Sequence, residues 1–233
     1  MSLPLIAIDG PAGAGKSSTA RQVAWRLGLP YLDTGALYRA AAWAALKQRI
    51  DLKDQAAISR TVDKAVITFA QAQRGVKIWI DGFDVTDAIR LPDVNLAVSP
   101  VCEVSEVRRK LVAMQRNWAA RGFGVLDGRD IGTVVCPNAG LKIFMTARPE
   151  IRAMRRGREI GVDQDPTALA KLTAEIVERD RRDTERADSP LKPAAEAVIL
   201  DTSDLTFTEQ VDTIVRMAGD RFGTRLYKAS TRP

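Results

Sequence analysis

Residues 10–17, GPAGAGKS, place Gly10, Gly15, Lys16 and Ser17 at the spacing G-x-x-x-x-G-K-[ST]. Chemically, this is a loop for holding phosphate. Glycines let successive backbone N–H groups turn inward on an anion, and a following helix N-terminus adds partial positive charge. Gly10, Pro11, Ala12, Gly13, Ala14, Gly15, Lys16, Ser17 and Ser18 are therefore the candidate ATP-binding residues. Lys16 can reach the β- and γ-phosphates, and the Ser17 hydroxyl can ligate Mg²⁺. The competing explanation is a chance glycine-rich turn, which the apolar run before the loop and the helical pattern after it disfavour.

Arginine is the second chemical signal. Arg129 lies in LDGRD, and two late clusters follow: Arg152, Arg155, Arg156 and Arg158, then Arg179, Arg181, Arg182 and Arg186. Guanidinium forks match phosphate oxygens and keep their charge at any physiological pH. Some of these arginines fit solvated helix faces paired with Glu175, Glu178, Asp180 and Asp183. The crowding in ERDRRDTER is harder to explain unless an anion sits among the guanidinium groups.

The chain contains no histidine, which removes His-based acid–base catalysis and the common zinc sites. Phosphoryl transfer to a phosphate monoester needs no such base. The acceptor's second pKa is about 6, so it arrives largely as a dianion at neutral pH. Clamping two polyanions against their mutual repulsion is then the main task.

These residues need a scaffold. Leu5–Ile8 reads as a buried strand delivered into a turn at Asp9–Gly10–Pro11, and Ala20, Val23, Ala24 and Leu27 follow at helical spacing until Gly28. An alanine-rich helix follows, with Asp33 or Thr34 as cap. KAVITFA and VKIWID switch to period two and predict an antiparallel hairpin inserted at about 62–92. Strands then alternate with helices to about residue 220, predicting an α/β, doubly wound, mostly parallel sheet. The final stretch, DRFGTRLYKASTRP, has no clear period and predicts a frayed end.

A basic composition suits acidic small molecules or nucleic acid, and does not by itself separate the two. Net charge is +6, hydrophobic residues make up 45%, and aromatics only 6%. Cys102 and Cys136 have neither metal spacing nor a disulfide framework. We expect a cytoplasmic protein with no secretion signal and no membrane span.

IDGPAGAGKSS, YLDTGALYR, LDGRDIGTVV and ERDRRDTERADSPLKPAAEAVILDTS together resemble the bacterial cytidylate kinases over residues 4–218. The loop motif is generic; the last two are far more specific. This resemblance implies a phosphate-loop core with a five-stranded parallel sheet, a small antiparallel β insertion in the acceptor-binding region, and a helical lid. It places the core at about 1–33, 93–150 and 187–220, the acceptor region at about 34–92 and the lid at about 151–186. It implies Mg²⁺-dependent transfer from ATP to CMP or dCMP. Arg39, Arg129 and Arg186 would hold phosphate with Lys16, and Thr34 would lie near the acceptor phosphate. Arg179 and Asp183 would face the sugar; Ser99, Arg108 and Asp130 would read the base; Arg155 and Arg156 would be lid arginines on ATP.

The base-reading set has a physical rationale. Cytosine offers an exocyclic amino donor that a carboxylate accepts, whereas uracil presents an oxygen there. Other small-molecule kinases on this core (UMP/CMP, coenzyme-precursor or shikimate types) remain alternatives. A nucleotide-switched nucleic-acid binder is the third, with few aromatics for stacking against it. The expectation is a monomer acting on small molecules, without nucleic acid or membrane.

Overall fold

The computed structural model describes residues 4–72, 75–223 and 226. Most of the predicted frayed tail lies outside the described residues. In chain order the elements are β1 (Leu5–Asp9), α1 (Lys16–Leu27), β2 (Tyr31–Asp33), α2 (Thr34–Lys47), α3 (Gln55–Lys64), β3 (Ile67–Ala72), β4 (Gly75–Ile80) and β5 (Phe83–Asp84). They continue as α4 (Pro92–Glu103), α5 (Ser105–Ala119), β6 (Gly124–Gly128), β7 (Leu141–Thr146), α6 (Pro149–Ile160), α7 (Pro166–Glu185), β8 (Val198–Asp201) and α8 (Phe207–Phe222). A single π-helical turn, Ile131–Val135, follows β6.

The larger sheet has five strands in the order β2-β6-β1-β7-β8. β1 pairs in parallel with β6 on one side and β7 on the other, and β7 pairs with β8. Central position explains the composition of β1: Ile6, Ala7 and Ile8 are wholly buried, because a parallel strand covered on both faces shows water no side. The smaller sheet is antiparallel, β3-β4-β5. Ile67 faces Ile80 and Phe69 faces Ile78 in its register, which is the predicted hairpin.

The chain divides into two compact units, residues 1–30 with 122–233, and residues 31–121. In the first, α1 packs on α8 and α6 on α7. A reciprocal capping box, Thr206 with Glu209, starts α8. In the second, α2 packs on α4. Ala36, Ala40, Ala41, Ala44 and Ala45 of α2 are buried, and side chains this short let a neighbouring helix approach closely.

Two elements differ from the sequence reading. β2 is only three residues long, too short for any periodicity to show. α4 contains Ser99, which sequence alone allows as an ordinary loop serine. Pro100 obscures this helix but does not break it, being in the last turn. The carbonyl that loses its donor belongs to Leu96, whose residue is 79% exposed, so water can serve it.

Candidate active site

β1 delivers the chain into the phosphate loop, and α1 begins at Lys16. Gly10 is required here by contact: a Cβ on it would come within 1.9 Å of the Met145 carbonyl oxygen. The loop thus emerges flush against β7. Lys16 is 5% exposed, and its ammonium donates to the Pro11 carbonyl at 2.6 Å. Burial, then the charge of Arg129, holds its pKa well below the ordinary lysine value, against the pull of Asp127, Asp9 and Asp183. The Ser17 hydroxyl donates to the Asp127 carboxylate at 2.6 Å, and Asp127 is buried at the end of β6. A hydroxyl and a carboxylate beside a phosphate loop are the hard oxygen donors that Mg²⁺ takes.

Three arginines of α6 take different positions. Arg152, grouped by the sequence with its neighbours, is the most deeply buried of them and supports the loop. It is 4% exposed and donates to the carbonyls of Ala147 and Ala12 and to Asp180 at 2.6 Å. Arg155 donates to the Ala14 carbonyl at 3.5 Å and to Thr202. Arg156 pairs with Glu159 at 2.7 Å on the exposed side of α6.

The ERDRRDTER run separates in the same way. Arg181 pairs with Glu178 and Glu185, and Arg182 with Glu178, all on exposed surface. Asp183 instead gathers cations. Arg129 Nε donates to it at 2.9 Å, and Arg186 lies 3.5 Å away. Burial opposes ionisation of Asp183, but the charge and hydrogen bond of Arg129, with Arg179 and Arg186, hold its pKa below the usual carboxylate range. Burial likewise opposes the charge on Arg129, and Asp183, with Asp127 and Asp180, more than offsets it.

Asp130 follows Arg129 and is 3% exposed. Asp9, which the sequence shows only as part of a turn, is a buried carboxylate of this site. It accepts from the Ile131 N–H at 2.8 Å and the Gly132 N–H at 2.7 Å. Burial nevertheless raises its pKa to about 6, against those two hydrogen bonds. The folded protein therefore binds this proton more tightly than the unfolded chain does. The stability associated with it is complete below the unfolded value of 3.8 and is lost as pH rises through about 6. Urea unfolding at pH 5 and 7.5 should show the stability of wild type, relative to Asp9→Asn, falling by about 1 kcal/mol at the higher pH. An unchanged gap would mean that Asp9 titrates near its ordinary value.

The other unit carries the remaining predicted residues. Asp33 caps α2, accepting from the Ala36 N–H with one oxygen and from Arg39 at 2.7 Å with the other. Among the described residues the buried Arg39 Nε has no hydrogen-bond partner. Thr34 is buried at the start of the same helix. On α5, Arg108 is buried and its guanidinium lies 5.3 Å from the ring centre of Tyr38. Ser99 is half-buried on α4.

Comparison with known proteins identifies the family. The cytidylate kinase family model matches residues 6–220. A cytidylate kinase of Pelotomaculum thermopropionicum is 47% identical over 92% of this chain and 95% of its own length. A bifunctional pantoate ligase/cytidylate kinase of a Synechococcus strain is 48% identical over 92% of this chain, which spans only 40% of that longer protein. Among solved structures, an uncharacterized protein from Eubacterium ventriosum shares the fold with a TM-score of 0.53 at 14% identity, over 94% of this chain and all of that one. The chain belongs to the cytidylate kinase family.

Proposed function

We propose that the protein transfers the γ-phosphoryl group of ATP to the phosphate of CMP or dCMP, giving ADP and CDP or dCDP. The observation that carries this reading is the phosphate loop itself: buried Lys16 donates to the Pro11 carbonyl at 2.6 Å and Ser17 to Asp127 at 2.6 Å, in a chain that the cytidylate kinase family model matches over residues 6–220.

Donor phosphates lie along residues 10–18, with Lys16 on the β- and γ-groups. Ser17 and Asp127 would hold Mg²⁺, which when bound would neutralise phosphate charge. As the family resemblance implies, Arg129, Arg186, Arg39 and Thr34 take the acceptor phosphate. Arg179 and Asp183 take the sugar. The acceptor arrives ionised, so the residues have only to align its oxygen with the γ-phosphorus and neutralise charge as transfer proceeds. Residues 151–186 form a lid in this reading, with Arg155 and Arg156 turned to ATP on closure. It acts in the cytoplasm as a monomer, on small molecules.

Asp130, Ser99 and Arg108 read the base. The decisive experiment is an ADP-release assay with CMP, dCMP, UMP, AMP and GMP in turn. CMP and dCMP should be preferred; equal rates for all, or none with CMP, would refute the assignment. Within that assay, Asp130→Ala should reduce the CMP:UMP ratio of kcat/KM by roughly tenfold, the discrimination expected of one base-edge contact. An unchanged ratio would leave Asp130 with no part in reading the base.

A further inference from the structure

We infer that Asp9 is a positioning residue, locking the segment that carries Arg129 and Asp130 to the strand that carries the phosphate loop. The inference rests on the acceptor roles proposed above for those two residues.

Asp9 is the last residue of the central strand, immediately before Gly10, with β6 on one side and β7 on the other. On the β7 side Gly10 lies against the Met145 carbonyl, so the strand end cannot drift that way. Opposite the carboxylate, the π-helical turn begins directly after Asp130. Its later donors are used within the turn: the N–H groups of Val134 and Val135 on the Asp130 carbonyl, and that of Cys136 on the Ile131 carbonyl. The first two, of Ile131 and Gly132, have no carbonyl behind them in the turn. Asp9 takes both, one with each oxygen, at 2.8 and 2.7 Å.

A side chain at residue 132 would press on this contact, requiring a neighbour to give by a few tenths of an ångström. A Cβ there would lie 3.3 Å from Asp9 Oδ2 and 3.4 Å from the Lys142 side chain. The arrangement places a carboxylate 4% exposed in the interior, where its charge is penalised. In exchange, the backbone immediately following Asp130 is fixed to the backbone immediately preceding Gly10. Donor loop and acceptor-binding segment thereby share one origin, and sub-ångström alignment is what in-line transfer demands.

The test compares the wild-type enzyme with Asp9→Asn and Gly132→Ala. Hydrogen exchange at residues 131 and 132, thermal unfolding, and steady-state constants for CMP, UMP and ATP are measured. Asparagine keeps one acceptor oxygen but sets an amide NH₂ against an N–H. Asp9→Asn should speed exchange at these amides, raise KM for CMP by about tenfold, lower the CMP:UMP ratio, and change KM for ATP less than about twofold. Gly132→Ala, pressing on the same bond from the other side, should shift the same quantities less. Faster exchange with all kinetic constants unchanged would overturn the inference, as would equal rises in KM for CMP and ATP. Should Asp9→Asn fail to fold, Gly132→Ala decides by the same criteria. A wild-type protein inactive on CMP would overturn the acceptor reading and this inference with it. Exchange at residues 131 and 132 would still show whether Asp9 holds the turn.

Discussion

Lys16→Ala should fold normally and lose roughly 10³-fold in turnover, because it removes a charge aimed at the transferring group. Stability should not fall. The wild-type ammonium is buried with its pKa depressed chiefly by desolvation, so in the empty enzyme its charge is a burden on folding. What stabilises it is the arrival of phosphate. Binding of ATP should consequently raise its pKa, and at alkaline pH the complex should take up a proton that Lys16→Ala does not. Calorimetry in buffers of different ionisation enthalpy reads this directly. A folded Lys16→Ala protein with near-normal turnover would show that the loop does not hold the reacting phosphates.

The parts of the site legible in sequence are those whose logic is local. The phosphate loop is a contiguous motif between a buried run and a helical period, and β1 and α1 occur where that pattern requires. The hairpin is similarly local, since the alternation of Val76, Ile78 and Ile80 is itself the buried face. Asp9 is different. Its partners are 122 and 123 residues away in sequence, so nothing nearby distinguishes it from a turn aspartate. Arg152 was hidden for a related reason. One turn of helix separates it from Arg155 and Arg156, and its bonds to the carbonyls of Ala12 and Ala147 mark it as inward-facing. In the late arginine run the sequence pattern alone leaves solvated arginines and those gathered around a carboxylate mixed together. Which residue belongs to which face was settled by the helix packing of α7, where Asp183 turns inward and Glu178 outward.

Arg129→Ala should lower kcat/KM for CMP by roughly 10²–10³-fold while leaving KM for ATP nearly unchanged, as expected for losing one preorganised cationic donor. Its effect on stability has a definite pH signature. Asp183 is ionised against the penalty of burial because Arg129 sits on it, with a pKa below the ordinary 3.8. A depressed carboxylate stabilises the fold above its unfolded pKa, and that contribution is lost as pH falls through the folded value. Removing Arg129 leaves Asp183 with Arg179 and Arg186, a weaker set, so the variant should be less stable by roughly 1–3 kcal/mol at neutral pH. The difference should shrink on acidification below the unfolded carboxylate range, where Asp183 becomes neutral in both proteins. Arg129→Lys separates the two roles of the guanidinium. It restores the charge that Asp183 requires, and with it most of the stability, but lacks the planar fork that grips two phosphate oxygens. Catalysis by the lysine variant should therefore recover far less than its stability does; equal recovery of both would assign Arg129 to holding Asp183 alone.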